Sequence, residues 1–412
     1  MTRERERTSM TTKVADGYVY LDWAATAPLC EEAAQAMEPY MKPGPGNIAV
    51  GGNPNSLHSP GRAAFEAMEY ARRDMARDLG AQRPNEIIFT SGATESDDTV
   101  MLGIAEGIAA ERGWRTGDFT PHVITTEIEH DAILKPAKRL EQEGFRVTRL
   151  APDRRGFITP EALSAAIDDD TVLVSVQMAN SEVGSVQPVR ELARIAHEHG
   201  AFFHTDATQA LGKVPFDVGE LGIDAASLSA HKICGPKGVG ALYVRAHAPF
   251  RDYLLGGGQE EGRRSGTQNV CGIVGFAAAC HAAVTMQPTE AARERALRDG
   301  LYRELTAIDG VDATVDVPAG SEEYLPNIVH VLVDGYESET MVLRLDMKGF
   351  GVSGGSACSS HSLDPSHVLL SMGIEGDRAY GALRISMGRY TTEDDLKRFA
   401  AAVRESLDWQ NR

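Results

Sequence analysis

From Tyr18 onward the chain alternates short, densely apolar runs with longer stretches whose apolar residues recur every three or four positions. The runs at 86–90 (EIIFT), 122–126 (HVITT), 171–176 (TVLVSV), 201–205 (AFFHT), 225–228 and 239–244 are too short for helices, and most are rich in β-branched or aromatic residues. They read as buried strands. Between 188 and 199, Val189, Leu192, Ala193, Ile195 and Ala196 fall on one helical face, and Gly200 ends the pattern. Strands separated by helices imply a parallel sheet with helices on both faces. Such sheets bind ligands beyond the carboxyl ends of their strands, so chemistry is expected in the polar clusters that follow each run.

Past the alanine-rich stretch at 277–284 the character changes. Residues 286–305 are charged and helical, and a second α/β unit follows: a strand at 327–333, a helix at 337–348, a glycine-rich loop holding Cys358, and a terminal helix from 392. The expected organisation is an arm at 1–17, a segment at 18–31 packing with the smaller domain, a large domain at 32–279, and a small domain at 280–412. A length of 412 residues, 42% hydrophobic and 24% charged, is ample for two such cores.

Charge narrows the partners. Fifty-nine acidic against 41 basic residues give −18, a surface that repels phosphate backbones, so no direct nucleic-acid partner is expected. The five cysteines are scattered, odd in number and without a CxxC pair, which argues against a disulfide framework or zinc site and for a reducing, cytoplasmic setting. No apolar run is read as long enough for a membrane span, and the charged N-terminus does not read as a secretory signal.

Candidate chemistry begins at Ser229-Ala230-His231-Lys232, which follows a strand and precedes the turn Gly235-Pro236-Lys237-Gly238. A lysine held at a strand end can form a Schiff base with an aldehyde cofactor, although an isolated lysine is far more often a solvated surface group. Its neighbours decide. Asp206, closing the strand before Ala207-Thr208-Gln209, is placed either to pair with a protonated pyridine nitrogen or simply to cap a helix. Thr90-Ser91-Gly92-Ala93-Thr94-Glu95 is a small-residue turn that can cradle a phosphate or merely start its helix. His197-Glu198-His199 reads as a solvated helix end rather than a metal site.

Taken in order, Ser91-Gly92-Ala93-Thr94-Glu95-Ser96, Glu129-His130, Asp206-Ala207-Thr208-Gln209, Ser229-Ala230-His231-Lys232, Arg264-Ser265-Gly266-Thr267 and Gly355-Ser356-Ala357-Cys358 resemble the NifS/IscS-type cysteine desulfurases, from Tyr18 to about residue 408. The resemblance implies fold type I of the pyridoxal-phosphate enzymes: a large domain on a mostly parallel seven-stranded sheet flanked by helices, and a smaller α/β C-terminal domain. It also implies a homodimer with shared active sites. Lys232 would bind the cofactor aldehyde, Asp206 its ring nitrogen and Gln209 its phenolic oxygen. Ala93, Thr94, Ser229 and His231 would surround the phosphate, with Thr267 reaching in from the other subunit. His130 would stack on the ring and move protons, while Arg384 and Asn53 would contact the substrate. Cys358 would take sulfur from L-cysteine as a persulfide and pass it to an acceptor such as an iron–sulfur scaffold.

The chain departs from the family at Asn180-Ser181-Glu182, where paired asparagines are common, and at Asp98. Ser181 would therefore contact the ring oxygen through a shorter side chain or a water. Three other readings compete. A selenocysteine lyase would use the same pocket, an aminotransferase would have no use for the Cys358 loop, and a non-catalytic sulfur carrier would not need Lys232, Asp206, His130 and Arg384 intact.

Overall fold

The computed structural model describes residues 14, 17–117, 119–251, 253–355 and 365–408. Cys358 and nearly all of the 1–17 arm lie outside the described residues. The first eight strands are β1 (Val19–Tyr20), β2 (Ile87–Thr90), β3 (His122–Thr126), β4 (Arg146–Leu150), β5 (Thr171–Ser175), β6 (Phe202–Asp206), β7 (Ala225–Ser229) and β8 (Gly240–Val244). Four more follow: β9 (Val311–Ala313), β10 (Ile328–Val333), β11 (Phe350–Gly351) and β12 (Ala382–Ser386).

Seven strands form one sheet in the order β2-β8-β7-β6-β5-β3-β4. Every pairing from β7 to β4 is parallel; β8 alone runs against both its neighbours. The period-two alternation divides the strands between two cores. Ile87, Phe89, Ile124, Val174, Phe203, Ala226 and Ala241 face one, while Ile88, Val123, Leu173, Phe202, Ala225 and Leu242 face the other. Each large aliphatic or aromatic side chain so buried contributes about 1.5–3 kcal/mol, which is why these runs contain little else.

A third core gathers β10, β12 and the terminal helix Glu393–Asp408, and it includes Val19 and Leu21 from the far end of the sequence. Strand β10 lies between β12 and β9, antiparallel to both. Strand β1 pairs in parallel with β11. Local pairing preferences could not announce that contact, because more than 300 residues separate the two strands.

The helix Val270–Leu305 runs unbroken through residues 279 and 280, where the sequence suggests a domain boundary, and carries Pro288 inside it. It also corrects the reading that no apolar run reaches membrane-span length. An 18-residue window within it has mean hydropathy 1.5, and by length and composition the helix is long and apolar enough to cross a membrane. Half of that window is buried inside the protein, and the helix packs on Glu31–Met41 and Ser59–Asp78, so a core position accounts for its apolar character.

Candidate active site

Five parallel strands end at one cavity of about 450 Å³, whose lining includes Ala93, Thr94, His130, Ser181, Asp206, Gln209, Ser229, His231, Lys232 and Arg384. Apart from Arg384, these side chains arrive by a strand end or the loop after it. Strand β2 delivers the Ser91–Thr94 turn, β3 leads to Glu129-His130, β6 closes on Asp206, and β7 closes on Ser229 before the tight helical turn Ala230–Lys232. Asp206 does not cap a helix: its Oδ1 accepts from the Thr208 amide at 2.9 Å, and irregular turns follow. The Ser91–Glu95 turn is braced by Arg264, whose Nε and Nη2 donate to the Glu95 carboxylate at 2.7 and 3.2 Å. Burial pushes the Glu95 carboxyl up, but the bonds from Arg264 and Ser91 outweigh it and hold the group below its usual range.

The segment 22–27 crosses this cavity and was not anticipated as part of it. Lys232 Nζ donates to the carbonyls of Ala24 and Ala25 at 2.6 and 2.9 Å, Gln209 Nε2 donates to Ala24 O at 2.9 Å, and His231 Nδ1 meets Thr26 Oγ1 at 3.1 Å. These contacts use backbone carbonyls, which leave no trace in side-chain patterns. Behind the lysine, Lys213 Nζ donates to the Lys232 carbonyl at 3.2 Å. Thr26, Asp97, Gln177, Thr208 and Lys237 also line the cavity and were likewise missed as site residues, whereas Ser91 and Gly92 line it from the turn read as a phosphate cradle.

Arg384 comes from the middle of β12, 2% exposed. Its Nη1 donates to the Ser181 carbonyl and its Nη2 to Asp22 Oδ1, each at 2.9 Å. Its backbone pairs in both directions with Ser353, at the start of the loop that leads to Cys358. The root of that loop is therefore fastened to the strand residue that carries the guanidinium.

Burial sets the charge states around the cavity. His231 is pushed down to about 4 by burial and by the neighbouring Lys232 cation, so it is neutral at pH 7. His204, wholly buried between Ser175 and Ser227, is pushed down to about 3. Asp97 is raised well above the usual carboxylate range by burial and then by the Asp206 carboxylate. Glu129 is raised to about 8 by burial, against the bonds it accepts from the Gln177 amide and Thr126. His130 Nδ1 accepts from the Ala132 amide at 3.1 Å, so the neutral ring carries its hydrogen on Nε2.

Pyridoxal phosphate fits the donor set that lines this cavity. A lysine amine and an aspartate share one cavity, and four of its lining residues have buried polar atoms without a hydrogen-bond partner: both Asp97 carboxylate oxygens, Thr208 Oγ1, Gln209 Oε1 and Arg384 Nε. Unpaired buried polar atoms are rare, and several around one cavity indicate a polar ligand. Asn53 and Thr267 stand apart from this lining and are exposed; Asn53 Oδ1 accepts from the Asn55 amide, and Asn55 Nδ2 reaches Gln268, so the two loops form one exposed cluster. Cys30 and Cys280 are buried, and burial raises the thiols of Cys30, Cys234 and Cys271, that of Cys234 to about 11. Cysteine thiols raised in this way are poor nucleophiles.

A mostly parallel sheet with a lysine and an aspartate at its strand ends is the frame of fold type I, and the chain belongs to the class-V aminotransferase family, whose sequence model matches residues 19–399. Within it the similarity is to the NifS/IscS-type cysteine desulfurases. The cysteine desulfurase IscS of Dictyoglomus turgidum is 42% identical over 378 residues, 92% of this chain and 91% of the relative. A solved NifS-like protein superposes with a TM-score of 0.85 at 36% identity, covering 95% of this chain and all of the other. SspA, solved in complex with cysteine, gives a TM-score of 0.75 at 33% identity over 91% of this chain and all of its own.

Proposed function

We propose that this protein is a pyridoxal-phosphate-dependent cysteine desulfurase that converts L-cysteine to L-alanine and holds the released sulfur as a persulfide on Cys358. The observation that carries the reading is the convergence of Lys232, Asp206, His130 and Arg384 on one cavity. Bound pyridoxal phosphate supplies an electron-withdrawing ring that drains charge from the carbons of an attached amino acid. Lys232 anchors the aldehyde, and Asp206 keeps the proton on the ring nitrogen. Ser229, neutral His231 and the Ala93–Thr94 turn take the phosphate, while Gln209 and Ser181 face the ring oxygen.

Arg384 binds the substrate carboxylate, with Asn53 as a second contact. His130 would stack on the bound ring, and its Nε2 is the atom through which it would move a proton. The Cys358 thiolate forms a bond to the substrate sulfur as the carbon–sulfur bond breaks; the electron pair stays on carbon, which is protonated on the way to alanine. Asn53 and Thr267 belong to an exposed cluster, so their roles call for a homodimer in which Thr267 of one chain serves the cavity of the other. An acceptor protein such as an iron–sulfur scaffold then takes the sulfur, in a reducing cytoplasmic setting that keeps the regenerated Cys358 thiol from being oxidised to a disulfide.

The test is simple in form. The purified protein is yellow and makes alanine from cysteine. Cys358→Ala keeps the colour and loses alanine formation, while Lys232→Ala loses the colour. Full alanine production by the Cys358→Ala variant would refute the persulfide route.

A further inference from the structure

Arg384 is not held by its own strand alone. A guanidinium that is 2% exposed needs a fixed counter-charge, because an unpaired buried cation is strongly destabilising. Asp22 provides it at 2.9 Å, with a side chain 18% exposed. The carboxylate is itself set in place by backbone bonds on both sides. Ser386 N donates to Leu21 O at 2.8 Å, Ala24 N donates to Ser386 Oγ at 2.9 Å, Leu21 N donates to Gly351 O at 2.8 Å, and Tyr20 Oη donates to Asp22 O at 2.9 Å. Nη1 is held across the fork by the Ser181 carbonyl, and Nε is buried without a partner, a donor left over for a ligand oxygen.

We propose that Asp22 is a positioning residue for substrate binding: with the Ser181 carbonyl it holds the Arg384 guanidinium in the orientation that takes the α-carboxylate of an amino-acid substrate. Asp22 touches neither cofactor nor substrate; it acts through Arg384. A planar fork recognises a carboxylate only when its plane is fixed, so a carboxylate anchored from the N-terminal segment sets the preference for amino acids over their amides. The same six-residue segment also holds Lys232 through Ala24 and Ala25, which ties carboxylate recognition to the reactive amine.

The inference rests on the reading of Arg384 as the carboxylate-binding group, and the experiment separates the two. Steady-state constants for L-cysteine and for L-cysteinamide are measured on the holoenzyme, with cofactor content read from its visible absorption. Asp22→Ala removes the acceptor; Asp22→Glu keeps the charge but displaces it by one methylene and guards against misfolding of the alanine variant. Both are expected to raise the cysteine KM about tenfold or more, the scale of one charge-assisted hydrogen bond. In both, kcat, cofactor content and the constants for cysteinamide stay within about threefold of the parent, the ordinary scatter of a change without mechanism.

Equal losses on both substrates would mark a merely structural role and overturn the proposal. So would a glutamate variant that behaves like the parent, because charge rather than orientation would then be what matters. Arg384→Ala is the reference: if it fails to erase the preference for cysteine over cysteinamide, the carboxylate reading falls and this proposal with it. If it erases the preference while the Asp22 variants keep it, only the proposal falls.

Discussion

His130 shows what a single side chain gains from its place. As a sequence feature it is a polar residue after a strand. In the fold its Nδ1 accepts from the Ala132 amide, so the neutral ring in the cavity wall carries its hydrogen on Nε2, the atom that the proposed proton transfers would use. His130→Ala should therefore lower kcat by about 10²–10⁴-fold, the usual range for a positioned acid–base group, while the cofactor stays bound. Stopped-flow absorbance with cysteine checks it. Asp97 makes the opposite case. Its carboxyl is raised well above the usual carboxylate range by burial and then by Asp206, which favours the neutral acid, so an isosteric neutral amide should replace it at little cost. Asp97→Asn is expected to retain cofactor content and to melt within a few degrees of the parent, whereas Asp206→Asn should lose activity sharply. Asp97 was invisible as a site residue because its sequence neighbours are ordinary helix residues; only the fold puts it beside Asp206.

Strands and helices matter here mainly as rigid mounts. Strand β8 starts at Gly240, where an added Cβ would meet the Gly92 Cα and the Leu228 carbonyl, each at 2.6 Å. The turn expected to hold the phosphate thus rests directly on the backbone of β8. Gly240→Ala should cost about 1–3 kcal/mol through overpacking and should also weaken cofactor retention, as checked by denaturant unfolding and by dialysis with absorbance. The long helix Val270–Leu305 works from behind. Its Glu294, raised to about 7 by burial against the pull of Lys213, faces the lysine that holds the Lys232 carbonyl. The strands at 122–126, 171–176 and 201–205 were legible from periodicity to within a residue or so, since burial on both faces leaves little choice of residue. The two-residue strands β1 and β11 were not, because their partner supplies nearly all of their stability.

At the scale of the molecule, burying one titratable group should make stability depend on pH. Glu129 has a folded-state value of about 8 against an ordinary 4.5. Between these values the folded chain keeps a proton that the unfolded chain has released, so the contribution of Glu129 to stability is fully present below about 4.5 and declines as pH rises toward 8. Glu129→Gln should flatten that part of the profile in denaturant titrations across pH 5 to 8. Global shape also decides which residues share a site. Asn53 and Thr267, with their family-derived roles, sit in an exposed cluster outside their own chain's cavity. Light scattering should therefore find a dimer, and the Thr267→Ala variant should weaken cofactor binding.

What the amino-acid order determined alone is whatever depends on local spacing: the run of strands and helices, the two α/β units, and the motifs that ride on strand ends, from Ser91 to Lys232. Those signals are strong because a strand end and the turn after it are contiguous in the chain, and their chemistry lies in side chains. Only the tertiary structure decided that the N-terminal segment crosses the cavity, that Asp22 faces Arg384 across more than 350 residues, and that Ala24 and Ala25 hold Lys232. These contacts join distant stretches and run largely through backbone carbonyls, which every residue possesses and no pattern of residue types can distinguish.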